Sequence, residues 1–166
     1  MSSDLSYLGI GSNDTASSSS SDLPPYFVST KEAVFYYAGI SPTPPKLVYR
    51  TGSDARPFIM PKGLEAYRQL KQARGVFGHA LNKVWKTSVG PKVCQLLTTL
   101  NVDWATVDGV RFLADKGEGE SALSPVVIWI GVRPASLEGK DAYSAAHDIL
   151  DILHGVDIHD VEVEFR

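Results

Sequence analysis

Hydrophobic and polar positions alternate cleanly at one place in the chain. Val161, Val163 and Phe165 are interleaved there with Asp160, Glu162 and Glu164. A period of two predicts a strand with one buried and one wet face. The stretch "PVVIWIGV" (125–132) is different, apolar toward both sides, as a central strand covered on both faces must be. Between them Ala142, Ala145, Ala146, Ile149 and Leu153 recur at helical spacing, and Gly155 stands where a left-handed C-terminal cap belongs. Upstream, Thr106–Ala114 predicts a strand with Val110 and Phe112 on one face and Arg111 on the other. "DKGEGESALS" then reads as the connection of a hairpin.

The N-terminal half is less regular. Lys46–Arg50 predicts a short strand, and Lys62–Arg74 a helix with Leu64, Tyr67 and Leu70 inward. Phe77, Leu81, Val84 and Trp85 give a second helical piece. Gly90-Pro91 then restarts the chain, and Val93, Leu96, Leu97 and Leu100 share a face. In "STKEAVFYYAG", Ser29 and Glu32 form a capping box and Gly39 a stop, which predicts a helix over about residues 30–38, although so many aromatics also suit a strand. "SPTPP" (41–45) excludes regular structure. "GSNDTASSSSSD" (11–22) has too little apolar surface to offset the entropy of ordering. The organisation expected is a disordered Ser-rich tail (1–24), an aromatic covering segment with a Pro-rich linker (25–45), and a single α+β domain (46–166).

The order β-α(α)-β-β-α-β predicts a ferredoxin-like split βαβ domain, with an extended helical first crossover and a four-stranded antiparallel sheet. Helices then cover one face and leave the other open, yet Val126–Val132 is apolar on both. Either the aromatic segment Tyr26–Ile40 or a second copy of the chain must cover the middle of the open face. A homodimer is favoured, with Trp129, Ile128, Ile130, Phe35 and Tyr36 as interface residues.

Charge adds an asymmetry that the net value of −3 hides. From Lys46 to Lys92 ten Lys/Arg stand against Asp54 and Glu65, a net of +8; from Glu138 to Arg166 eight Asp/Glu stand against Lys140 and Arg166, a net of −6. Two such regions face each other, within a chain or across a dimer, unless an anionic partner occupies the basic one. Nucleic acid is disfavoured as that partner, because Arg68, Lys71, Arg74, Lys83 and Lys86 lack interleaved exposed aromatics for stacking. The single Cys94 cannot form an internal disulfide. "MSSDLSYLGIGSND" has no basic start or apolar core, and "VVIWIGV" is too short to span a bilayer. The expectation is an intracellular, cytoplasmic protein with no membrane partner.

Candidate chemistry centres on the loop "VYRTGSDARPF" (48–58). Arg50 and Arg56 present a fork for a carboxylate or phosphate, backbone N–H groups near Gly52 add donors, and Asp54 orients one arginine. The plainer alternative pairs Asp54 with Arg56 and leaves the loop as a turn shaped by Pro57 and Pro61. His79 is a candidate base or ligand-binding group near the basic helix, or a cap between helical pieces. His147, Asp151 and His154 share helical spacing without the closed ligand set a metal needs, so neither metal nor cofactor is expected. Ser144 and His147 lie three apart on one helix with no oxyanion donor, which argues against serine catalysis.

"VYRTGSDARPF", "EAYRQLKQARGVFGHALNKVW", "GPKVCQLL", "PVVIWIGVRPASLEGKDAYSAAHDIL" and the closing "DVEVEFR" resemble a family of uncharacterised fungal proteins. In its longer members a trypsin-like serine peptidase-like region follows this unit. The resemblance covers roughly residues 45–166 and implies a free-standing or truncated copy of an N-terminal module. No Gly-Asp-Ser-Gly segment is present, so no catalytic residue carries over. Two functions are therefore expected. The first is a non-catalytic, homodimeric interaction module acting on a protein partner, in the manner of a pro-domain or inhibitor of a peptidase. The alternative is a small enzyme or anionic small-ligand binder using Arg50, Asp54, Arg56 and His79.

Overall fold

The computed structural model describes residues 23–63, 70–117 and 120–166. The Ser-rich tail lies almost wholly outside these, as do Leu64 and Tyr67 of the helix expected over Lys62–Arg74. Six strands form one sheet: β1 (Tyr49–Arg50), β2 (Lys71–Arg74), β3 (Trp104–Gly117), β4 (Glu120–Leu123), β5 (Val126–Val132) and β6 (Val161–Phe165). Their order is β1-β6-β5-β3-β2, with β4 also paired to β3. The helices are α1 (Thr30–Phe35), α2 (Leu81–Val84), α3 (Gly90–Thr99) and α4 (Gly139–His154), with a π-helical turn Trp85–Val89 joining α2 to α3.

The fold is α+β, but not the expected ferredoxin-like one. A split βαβ unit keeps another strand between the two that flank its helix. Here β6 lies directly against β5 in parallel, Val126 opposite Val161 and Ile130 opposite Phe165. β1 is consequently an edge strand, antiparallel to β6. The sheet has six strands, not four, because the long β3 serves two sets of partners. Trp104–Val110 pairs with β5, and Arg111–Gly117 with β2 and β4. The β3–β4 hairpin is present, and the Ser124 hydroxyl caps it by accepting from the Phe112 N–H at 2.8 Å.

Residues 71–74 are a strand rather than the end of a helix. "KQAR" has good helix formers, but its pairing from Lys71–Ala114 to Arg74–Arg111 fixes it as extended. Phe77 falls outside the helix and is exposed. The helix itself does not restart at Gly90-Pro91. Pro91 has no N–H, and its ring would press on the carbonyl four residues back. The widened π turn immediately before it accommodates the proline within a continuous helix. Gly90 lets the Trp85 carbonyl approach, since a Cβ there would lie 2.8 Å from that oxygen. Gly155 also departs from expectation: its φ is −63°, and the left-handed residue beyond α4 is Asp157.

Burial divides the sheet's two faces. On one, Ile128 and Ile130 of β5 with Val161, Val163 and Phe165 of β6 pack fully against the inward faces of the α2–α3 helix and α4. Ile128 and Ile130 are therefore interior, not the interface residues expected. On the other face Tyr37, Leu47, Phe112, Val127 and Trp129 form a second core. Tyr37 is the centre of this cover: its ring lies 5.6 Å from that of Trp129 and 5.7 Å from that of Phe112. Arg166 stacks its guanidinium on Trp129 at 3.7 Å. Trp129, the first interface candidate, is thus 9% exposed within a single copy of the chain.

Candidate ligand-binding site

The segment that covers the second face begins with a helix start legible in the sequence. Ser29 caps α1 by accepting from the Glu32 N–H at 3.1 Å. Glu32 does not reach back to complete the box. Its carboxylate instead accepts from Arg50 Nε at 2.7 Å. Gly39 turns the chain at φ +90° and lies against Leu70, so that a Cβ there would meet the Leu70 Cα at 2.8 Å. The Lys71 N–H then donates to the Ala38 carbonyl at 3.0 Å, which ties the end of this segment to the start of β2.

Those two elements close around a buried carboxylate. Glu164 is 1% exposed on the face of β6 expected to be wet. Tyr36 Oη donates to its Oε1 and Tyr37 Oη to its Oε2, each at 2.6 Å. Arg50 is Glu164's neighbour in register on β1. It spends its own donors on Glu32 and on the Arg56 carbonyl, the latter at 2.8 Å, and lies over the Tyr36 ring. Lys71 completes the group. Its Nζ is 3.3 Å from the centroid of the Tyr36 ring and 5.3 Å from those of Tyr37 and Phe112. Among the described residues no carboxylate is within ion-pair distance of it. Burial, which penalises the charged amine, lowers Lys71 to about 8, against the opposing pull of Glu164. Burial and the Glu164 charge push Tyr36 and Tyr37 well above the ordinary phenol range.

Beside this cluster is a cavity of about 780 Å³. Phe112, Ala114 and Ala122 contribute from the sheet, Phe35 from the end of α1 and Tyr36 from just beyond it, and Pro57–Pro61 from the loop after β1. Leu70, Lys71, Arg56 and Asp115 also line it. The lining is mainly apolar, with Arg50, Arg56, Lys71 and Asp115 among its few polar groups, the usual composition of a small-molecule site. Phe35, Ile59, Leu70 and Leu123, all substantially exposed, stand among its lining residues.

Of the four residues expected to bind an anion, Arg50 and Arg56 line the cavity, and Asp54 and His79 do not. Arg50, however, is 3% exposed, with its Nε bonded to Glu32 and a terminal nitrogen to the Arg56 carbonyl, so it chiefly supports the site. Arg56 lines the cavity but is paired with Glu162. That pair is held close by Gly52, where any Cβ would collide with the Glu162 carboxylate. Asp54 is exposed, and the part of orienting the arginines falls to Glu32 and Glu162. His79 is outside the cavity. Its Nδ1 accepts from the Leu81 N–H and its Nε2 faces both Asp160 oxygens, all at 3.1 Å, so it caps the helix. With Nδ1 accepting, Nε2 carries the proton, and the hydrogen bond from His79 lowers the Asp160 carboxyl.

Tyr37, Lys71 and Glu164 were missed as site residues, each having passed for part of an ordinary pattern. Among the described residues no group of three or more His, Cys, Asp or Glu is placed to hold a metal, and no helix is long and apolar enough to cross a membrane. No family model matches the chain, and neither a curated protein nor a solved structure matches it.

Proposed function

We propose that this domain binds an amphipathic small molecule, its apolar body in the 780 Å³ cavity and its anionic head at Lys71 with Arg56 nearby. The observation that carries this reading is Lys71 itself. It is a basic group held over aromatic rings at the cavity, without a carboxylate partner among the described residues. Charge balance supports it, since the Glu164 and Glu32 carboxylates are already occupied by Tyr36, Tyr37 and Arg50.

Decanoate is a suitable probe, with an aliphatic body and one carboxylate. At about 0.5 kcal/mol per heavy atom it should bind with a Kd of tens of micromolar. Calorimetry should give this value for the wild type and at least a tenfold loss for Ala122→Phe, which fills the cavity. Equal binding by that variant would refute the reading. An interaction module retains one supporting feature, the exposed Phe35, Ile59, Leu70 and Leu123 side chains. It predicts self-association abolished by Ile59→Glu, measurable by sedimentation; a monomer at 100 micromolar (about ten times a typical working concentration) would end it.

A further inference from the structure

The geometry points to Lys71 as a nucleophile that forms a reversible imine with an aldehyde or ketone group on an apolar ligand in this cavity. This inference rests on the cavity being a ligand site, and it adds a chemical class to the ligand. Three features of the geometry carry it. Lys71 lines the cavity, so its amine and an apolar guest share the same space. Its Nζ is enclosed by the Tyr36, Tyr37 and Phe112 rings, which keep water from it, and this burial favours the neutral amine against the attraction of the ring faces for an ammonium. Finally, its backbone is held by the Ala38 carbonyl and by pairing with Ala114, which fixes the base of the side chain on a strand.

The step balances without an oxidant or reductant. The neutral amine attacks the carbonyl carbon, a C–N bond forms, and the C=O electron pair moves to oxygen. Both amine protons then leave with that oxygen as water, giving C=N. The groups that face Lys71 set how much neutral amine is present. Glu32 and Glu164 favour the ammonium, Arg50 opposes it, and burial opposes it most. Asp115 and Arg56 also line the cavity. Tyr36 and Tyr37 present their rings, their hydroxyls being committed to Glu164. Lys83, Lys86 and Lys92 are exposed on the helices, outside the cavity.

The test uses the full chain with decanal and borohydride, which reduces an imine to a stable secondary amine, followed by peptide mass spectrometry. At pH 7.5 the fall of Lys71 from 10.5 to about 8 gives it far more free amine than a surface lysine. Part of that advantage is lost to weaker intrinsic nucleophilicity, so labelling of Lys71 should exceed that of Lys83, Lys86 and Lys92 by about tenfold. Excess decanoate should protect Lys71 alone, and Lys71→Arg should reduce total incorporation to the surface-lysine background. Labelling spread evenly over the lysines would overturn the imine proposal. If decanoate still binds by calorimetry in that case, the cavity reading stands; if decanoate binding is absent too, both fall.

Discussion

Removing one hydroxyl tests how the second face is held together. Tyr37→Phe deletes the donor to Glu164 Oε2 and changes almost nothing else, because the ring is fully buried between Trp129 and Phe112 and Phe retains those contacts. What remains is a buried carboxylate with one oxygen still bonded to Tyr36 and the other without its tyrosine. A hydrogen bond to a charged group contributes about 1.5–3 kcal/mol, and a buried acceptor left unmatched costs about the same. The variant should therefore lose about 2 kcal/mol of stability. With an m-value of about 2 kcal/mol/M, the urea midpoint falls by about 1 M at unchanged m. In a thermal scan the loss is about 4–8 °C for a chain of this size. Glu164→Ala should cost more, about 3–5 kcal/mol, since it strands both tyrosine hydroxyls and removes the negative charge that acts most strongly on Lys71. A double-mutant cycle with Glu164→Gln should show coupling of at least about 1 kcal/mol. A Tyr37→Phe variant within about 0.5 kcal/mol of wild type, the range of an indifferent surface change, would refute the account of Glu164 as a structural centre.

Lys71 and the tyrosines pull stability in opposite directions with pH. The folded state holds Lys71 at about 8 against 10.5 unfolded, so its charge costs stability below pH 8 and the cost fades between pH 8 and 10.5. Lys71→Met should consequently be more stable than wild type at pH 7 by about 1–2 kcal/mol, and the gap should close by pH 10.5 in urea melts at a series of pH values. The phenols of Tyr36, Tyr37 and Tyr49 are raised, Tyr49 to about 12 by its burial, so their contribution is complete below pH 10 and is lost as pH rises beyond it. Absorbance at alkaline pH should show these three ionising together with unfolding. Gly39→Ala places a Cβ against the Leu70 backbone at a positive φ, and should cost about 2–3 kcal/mol in the same urea assay.

Much of the framework was legible because local pattern suffices for it. The double-sided apolarity of Val126–Val132 announces a strand covered on both faces, and the stripe from Ala142 to Leu153 announces α4. Ser29 and Gly39 bracket the covering segment by capping and turn chemistry that needs no tertiary contact. Sheet order was not legible, since the chain reads the same whether the strand after α4 lies beside β5 or one strand away. The strand at Lys71–Arg74 was hidden for a related reason: its residues favour helix, and only pairing with a segment forty residues later in the chain (Ala114 to Arg111) overrides that.

Glu164 is the most instructive miss. Alternation shows which side of a strand a residue occupies but not what lies above it. The two tyrosines that bury this glutamate come from 128 and 127 residues away. Both arginines of the candidate loop line the cavity, but Arg50 is buried and bonded to Glu32 and the Arg56 carbonyl, and Arg56 is paired with Glu162. His79 turned out to be a cap, which its position just before a helix already allowed.

The most direct test of the central claim is an amide-shift NMR titration of the chain with decanoate at low salt. The account predicts saturable shifts confined to residues 35–38, 56–61, 70–73, 112–115 and 122–125, with His79 and Asp160 unmoved. Shifts centred on α3, α4 or His79, or none at millimolar decanoate, would contradict it.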